Sequence, residues 1–205
     1  KIRGMKNPTV AGLDARIEYV PEYIRKAAFE EYGVGLKGAA EAIWQFNVGL
    51  IDALCDIVPA VKPQAAYYEN LGWQGMEMLE RTIAYAKSKG LFVIADIKRG
   101  DIGSTVAAYA AADRDPSSPL YVDAVTASPF LVVGSLAPMF ETAAANGGGV
   151  FVLALTSNPE GAQVQRAVPA DGRTGAQTVS GAMSQLNAGA EPPGSLGLVV
   201  GATIG

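Results

Sequence analysis

At 205 residues, 49% hydrophobic and 18% charged, the chain can bury a sizeable core, and a single domain over 1–205 is the simplest organisation. A net charge of −4 and a pI near 4.9 argue against nucleic-acid and membrane-surface partners, both of which need a cationic excess. No apolar run approaches the roughly 18 residues of a membrane span, and the opening KIRGMKNPTVAGLD has no apolar signal core before Thr9, so a cytoplasmic protein is expected.

In chain order, Thr9 to Asp14 reads as a short buried strand ending in a carboxylate. Pro21 suits the first turn of a helix carrying Tyr23, Ile24 and Ala27. Ile43, Phe46, Leu50 and Leu54 recur at helical spacing, with Asn47 and Ile51 beside them, and predict a long amphipathic helix ending before Pro59. Cys55 continues that pattern and is expected to be a plain core cysteine; alone, it forms no internal disulfide. Pro59 to Gln64 is a second strand running into Lys62, followed by a helix with Met76, Leu79, Ile83 and Ala86 on one face and Gly90 as its stop.

The third strand, Leu91 to Ala95, is apolar throughout and reads as buried on both faces before it turns ionic at Asp96 and Lys98. An alanine-rich helix over Thr105 to Ala112 and the turn-rich DRDPSSP loop come next. Val122 to Ser128 is the fourth strand, Ser135 to Asn146 a helix stopped by three glycines, and Val150 to Thr156 the fifth strand. Residues 160–174 read as a long polar loop and possible lid, about 175–187 as a helix, 188–195 as a linker, and Leu196 to Thr203 as the sixth strand.

Strands alternating with helices predict β-α units and a parallel sheet. No G-x-G-x-x-G turn follows the first strand, as a doubly wound nucleotide fold would have. Each strand instead ends in polar residues: Asp14, Lys62, Asp96 with Lys98, Thr126 with Ser128, Thr156 with Ser157, and Thr203. That is the layout of a (β/α)8 TIM barrel. Six units are legible where eight are needed, so a C-terminally incomplete barrel domain is expected.

The chemistry must do without histidine, since the chain has none. Proton transfer falls to Lys, Asp, Glu or Tyr. Lys62, Asp96, Lys98 and Asp101 form an alternating set whose members would keep one another ionised, and a protonated, fixed lysine is a general acid. On an extended backbone Asp96 and Lys98 face the same side. The plainer alternative is an ion-pair network closing a barrel mouth; for Asp101 it is a helix cap ahead of Ser104 and Thr105.

The string ADIKRGDIGST contains D-x-K-x-x-D-I and resembles the signature of the orotidine 5′-phosphate decarboxylase family, in particular its longer bacterial-type branch. The likeness extends through GLD at Gly12, FNVGLIDAL at Phe46, AVKPQ at Ala60, TSNPEG at Thr156 and VVGAT at Val199. It implies a barrel homodimer with sites shared across its interface, converting orotidine 5′-monophosphate to UMP in pyrimidine biosynthesis with neither metal nor organic cofactor. Lys98 would protonate C6, Asp96 would sit against the departing carboxylate and hold Lys98, and Lys62 and Asp14 would bind ribose hydroxyls. Asp101, Ile102 and Thr105 would reach the partner subunit's site, and Ser157 would hydrogen-bond the pyrimidine.

The family's glycine-rich phosphate loop after the seventh strand and its arginine after the eighth find no match in these residues. Two other readings stand beside the decarboxylase: a Mg-dependent sugar-phosphate lyase or synthase sharing the D-x-K-x-x-D pattern, and a non-catalytic ligand-binding barrel.

Overall fold

A computed structural model describes residues 1–190 and 194–203. The chain divides into two compact units, Lys1–Ile97 with Pro119–Val122, and Lys98–Ser118 with Asp123–Gly205.

The first unit opens on a single turn, α1 (Ile2–Met5), and then β1 (Val10–Leu13). Helix α2 (Glu22–Tyr32) starts directly after Pro21, as the fixed φ of proline favours. Helix α3 (Leu36–Leu54) follows, then β2 (Ala60–Pro63), the short α4 (Ala65–Glu69), α5 (Gly72–Ser88) and β3 (Phe92–Arg99), whose last two residues belong to the second unit. The strands are parallel, with Val10 opposite Ala60 and Ala60 opposite Phe92. Leu13, Ile43, Ile51, Val61, Tyr68, Leu79, Ile83 and Val93 make its core.

In α3 the buried stripe is Ile43, Asn47 and Ile51, while Phe46 and Leu50 are half-buried. Cys55 lies just past that stripe, at the helix C-terminus, half-buried with Sγ 3.5 Å from the Asp52 carbonyl. The expected core cysteine is therefore a rim residue, because the stripe ends one turn earlier. The both-faces burial expected of β3 also fails: Val93 and Ala95 are sealed, but Phe92 is 49% exposed and Ile94 half-buried. A period of two separates those pairs onto opposite faces, and only one face is closed.

The second unit carries α6 (Gly103–Arg114), β4 (Ala124–Ala127), a 3-10 turn over Val133–Leu136, α7 (Ala137–Ala145), β5 (Gly149–Leu155), the one-turn α8 (Ala162–Gln165), α9 (Gly175–Leu186) and β6 (Leu196–Val200). Helix α9 begins in a capping box, with Thr174 accepting from the Gln177 N–H and the Gln177 side chain accepting from the Thr174 N–H. The stretch expected to be one long loop, 160–174, contains α8, and Gln165 at its end is anchored to Thr156. Part of the linker expected over 188–195 lies outside the described residues.

Here too the strands are parallel and in chain order, β4-β5-β6. The Arg99 carbonyl at the end of β3 accepts the Ser128 N–H just past β4 at 2.8 Å. A doubly wound sheet reverses its strand order partway, whereas a (β/α)8 barrel adds each strand beside the last. The sequential order β1 to β6 makes these β-α units part of a (β/α)8 TIM-barrel fold. Among the described residues no helix is long and apolar enough to cross a membrane.

Val132, after β4, has φ 71° and ψ 147°, a region that essentially only glycine occupies without strain, and its side chain is 72% exposed. Val132→Gly should therefore raise stability by about 1 kcal/mol, the relieved strain exceeding the entropy that glycine adds to the unfolded chain. Denaturant unfolding checks this: the midpoint should rise with an unchanged slope.

Candidate active site

In the first unit, period two along β2 puts Lys62 and Gln64 on one side, and both reach Asp96. Lys62 Nζ lies 2.5 Å from Asp96 Oδ2, and Gln64 Nε2 donates to the same oxygen at 3.1 Å. A parallel bridge between Gln64 and Asp96 fixes this register. The Asp96 side chain is 8% exposed and that of Lys62 33%. A carboxylate this buried stays charged only with such partners, and the pair supplies them.

Asp14, just past β1, is exposed at a cavity of about 210 Å³ lined also by Gly12, Tyr19, Phe46, Asn47 and Leu50. Half-buried Phe46 and Leu50 thus form its wall. Behind it, Asn47 Nδ2 donates to Tyr68 Oη at 2.8 Å and to Thr82 Oγ1 at 3.2 Å, all three side chains being buried. Burial pushes the Tyr68 phenol well above its ordinary range, the Asn47 and Thr82 hydrogen bonds oppose this, and the Asp14 charge adds to the rise. The phenol therefore stays neutral at any physiological pH and can fix Asn47 without titrating.

In the second unit, Lys98 is exposed and has φ 47°, so the strict alternation expected of an extended Asp96–Lys98 pair does not hold. Its backbone N–H donates to Thr126 Oγ1 at 3.0 Å. The left-handed backbone re-aims this side chain relative to a regular strand. Asp101 does not cap α6: the residue before the helix is Ile102, no side chain caps it, and Asp101 Oδ1 accepts the Ile102 N–H at 2.8 Å. Asp101 is half-buried, Ile102 is 61% exposed and Thr105 is exposed.

Ser157 is exposed just beyond β5. The preceding Thr156 N–H donates to Gln165 Oε1 at 2.7 Å, and Gln165 Nε2 donates to Thr156 Oγ1 at 2.8 Å. Just past β6, the Gly201 N–H donates to the Leu155 carbonyl at 2.7 Å, and a Cβ on Gly201 would stand 3.0 Å from the Ser157 Cβ. Glycine at 201 thus leaves Ser157 room.

The residues around these sites that sequence reasoning assigned no role include Gln64, Asn47, Tyr68, Thr82 and Gln165. Gln64 was legible in principle, since it follows Lys62 by two. Asn47 signalled itself only as a polar residue on an apolar stripe, and its partners on α4 and α5 follow from packing alone.

The family model for the orotidine 5′-phosphate decarboxylase / HUMPS family matches residues 44–205. An orotidine 5′-phosphate decarboxylase of Salinispora tropica is 63% identical over 205 residues, covering 100% of this chain and 70% of that protein. One from Streptomyces coelicolor is 42% identical over 200 residues, covering 98% of this chain and 68% of that protein. Across the similar curated relatives, the chain spans 62% to 70% of their length.

Among solved structures, one from Streptomyces avermitilis assigned to the same enzyme is 44% identical with a TM-score of 0.84, covering 99% of this chain and 68% of that one. The OMP decarboxylase of Leishmania donovani is 30% identical with a TM-score of 0.72, covering 95% of this chain and 65% of that one. With a family model over most of its residues, relatives at this identity and sequential parallel β-α units ending in polar residues, the chain belongs to the orotidine 5′-phosphate decarboxylase family.

Proposed function

We propose that the protein decarboxylates orotidine 5′-monophosphate to UMP, with Lys98 as the acid. The C6–carboxyl bond breaks, CO2 leaves, and the electron pair left on C6 takes a proton from the Lys98 ammonium. The observation that carries this reading is Asp96, buried and held by Lys62 and Gln64 two residues before the lysine. Two positions apart, the Asp96 and Lys98 Cα atoms are separated by at most about 7 Å. A fixed anion at that distance can orient the lysine ammonium and destabilises a substrate carboxylate beside it.

Asp14, at the mouth of the cavity backed by Asn47, takes ribose hydroxyls together with Lys62. Ser157, its turn braced by Gln165 and Gly201, hydrogen-bonds the pyrimidine. Asp101, Ile102 and Thr105 serve the site of a second subunit in a homodimer. The open Ile102 side chain and an Asp101 that caps no helix support that role. The enzyme works in the cytoplasm and uses neither metal nor organic cofactor.

The test is turnover of orotidine 5′-monophosphate by the full-length protein, followed by its ultraviolet absorbance change and by CO2 release. Conversion to UMP that is unchanged by a chelator is expected. Turnover that ceases with the chelator and returns with Mg2+ points to the lyase or synthase reading instead; no turnover in either condition leaves the ligand-binding barrel.

A further inference from the structure

Thr126 is buried in the middle of β4, a strand whose other residues are Ala124, Val125 and Ala127. Valine has nearly the same shape and would bury there without a polar cost, so the hydroxyl calls for a reason. Its oxygen accepts the N–H of Lys98 at 3.0 Å. Lys98 is one of three non-glycine residues at positive φ among the described residues. A left-handed conformation at a residue with a Cβ costs about 1–2 kcal/mol and persists only where the surroundings enforce it.

The enforcement comes from the segment around Thr126. Thr126 Oγ1 holds the Lys98 N–H, the Ser128 N–H holds the Arg99 carbonyl at 2.8 Å, and Gly100 packs so closely that a Cβ there would lie 2.4 Å from the Ser128 carbonyl oxygen. Consecutive residues on either side of the Lys98 side chain are thus gripped by one short stretch of β4 and its exit.

We infer that Thr126 is a positioning residue for the reaction: its hydroxyl holds the Lys98 backbone in the left-handed conformation that aims the ammonium at C6. This rests on the reading of Lys98 as the acid. Thr126 acts through the lysine's main chain, whose N–H its hydroxyl holds. Its loss should therefore appear in kcat rather than in KM, since aim matters to proton delivery more than to binding.

The experiment compares Thr126→Val, Thr126→Ser and Lys98→Ala in the full-length enzyme, by steady-state kinetics with orotidine 5′-monophosphate and by thermal unfolding. Thr126→Val should lower kcat by about 10- to 100-fold with KM changed by less than about threefold, as misaim by a fraction of an ångström does. Thr126→Ser, which keeps the acceptor, should recover most of the loss. A Thr126→Val enzyme with kcat within about twofold of the parent, or a serine variant as impaired as the valine one, overturns the inference while leaving an inactive Lys98→Ala to support the acid.

Should Lys98→Ala keep its activity, the acid reading falls and this inference with it. Amide hydrogen exchange at Lys98 in the unmodified enzyme reads the bond without any substitution. Protection well beyond that of an open amide is expected, and exchange at the unprotected rate overturns the inference even where Thr126→Val fails to fold.

Discussion

Lys98→Ala should lower kcat for orotidine 5′-monophosphate decarboxylation by about 10³-fold or more in the full-length enzyme, while thermal stability changes little. A positioned general acid accounts for about 10²- to 10⁴-fold on its own, and losing a fixed cation beside a developing carbanion adds to that. Stability should hold because the side chain is exposed, so truncation empties no core volume. The alanine also keeps the backbone N–H that Thr126 accepts. Steady-state kinetics and a melting curve on the same preparation separate the two outcomes. Activity within about tenfold of the parent would show that the proton comes from elsewhere, and in a chain without histidine the remaining donors are few.

The second large effect is on stability, at the Lys62–Asp96 pair. Lys62→Ala should destabilise the fold by about 2 kcal/mol, because the nearly buried Asp96 carboxylate loses the ammonium that Lys62 brings to it from β2. The figure sits below that for a fully buried pair, since the Lys62 side chain is one-third exposed, at 33%. Asp96→Asn in the Lys62→Ala background should recover part of the loss, so the double variant is more stable than the sum of the single changes predicts. Denaturant unfolding of the four proteins gives the coupling directly; strict additivity would mean that the pair contributes nothing to the fold. Both single variants are also expected to lose turnover, and folded, inactive protein distinguishes that loss from unfolding.

These two predictions fall on residues that the sequence exposes in different ways. Asp96 and Lys98 stand out because charges follow directly on the apolar run of β3, and such a junction is costly without a partner. Lys62 stands out more weakly, at the end of a short strand between prolines. What one-dimensional spacing missed is how they are used. An extended backbone would put Asp96 and Lys98 on one side, yet Lys98 takes a left-handed φ of 47° and the Asp96 carboxylate meets Lys62 and Gln64. Spacing arguments assume regular dihedrals, and sites are where those fail. The same limit explains Asp101, whose spacing from Ser104 suits a cap although α6 starts one residue past Ile102.

By itself the amino-acid sequence determined the alternation of strands and helices, the polar strand ends, the family and the positions that bear charge. Each of these is a matter of local periodicity or of residue identity, which neighbours along the chain suffice to express. Tertiary structure alone decided that Gln64 shares the Asp96 oxygen, that Asn47 is bonded to Tyr68 and Thr82 behind Asp14, and that Thr126 holds the backbone of Lys98. The partners in those contacts lie 21 to 35 residues apart in the chain. Only the parallel register of the strands and the packing of helices on them brings such groups to hydrogen-bonding distance, and no local pattern encodes that register.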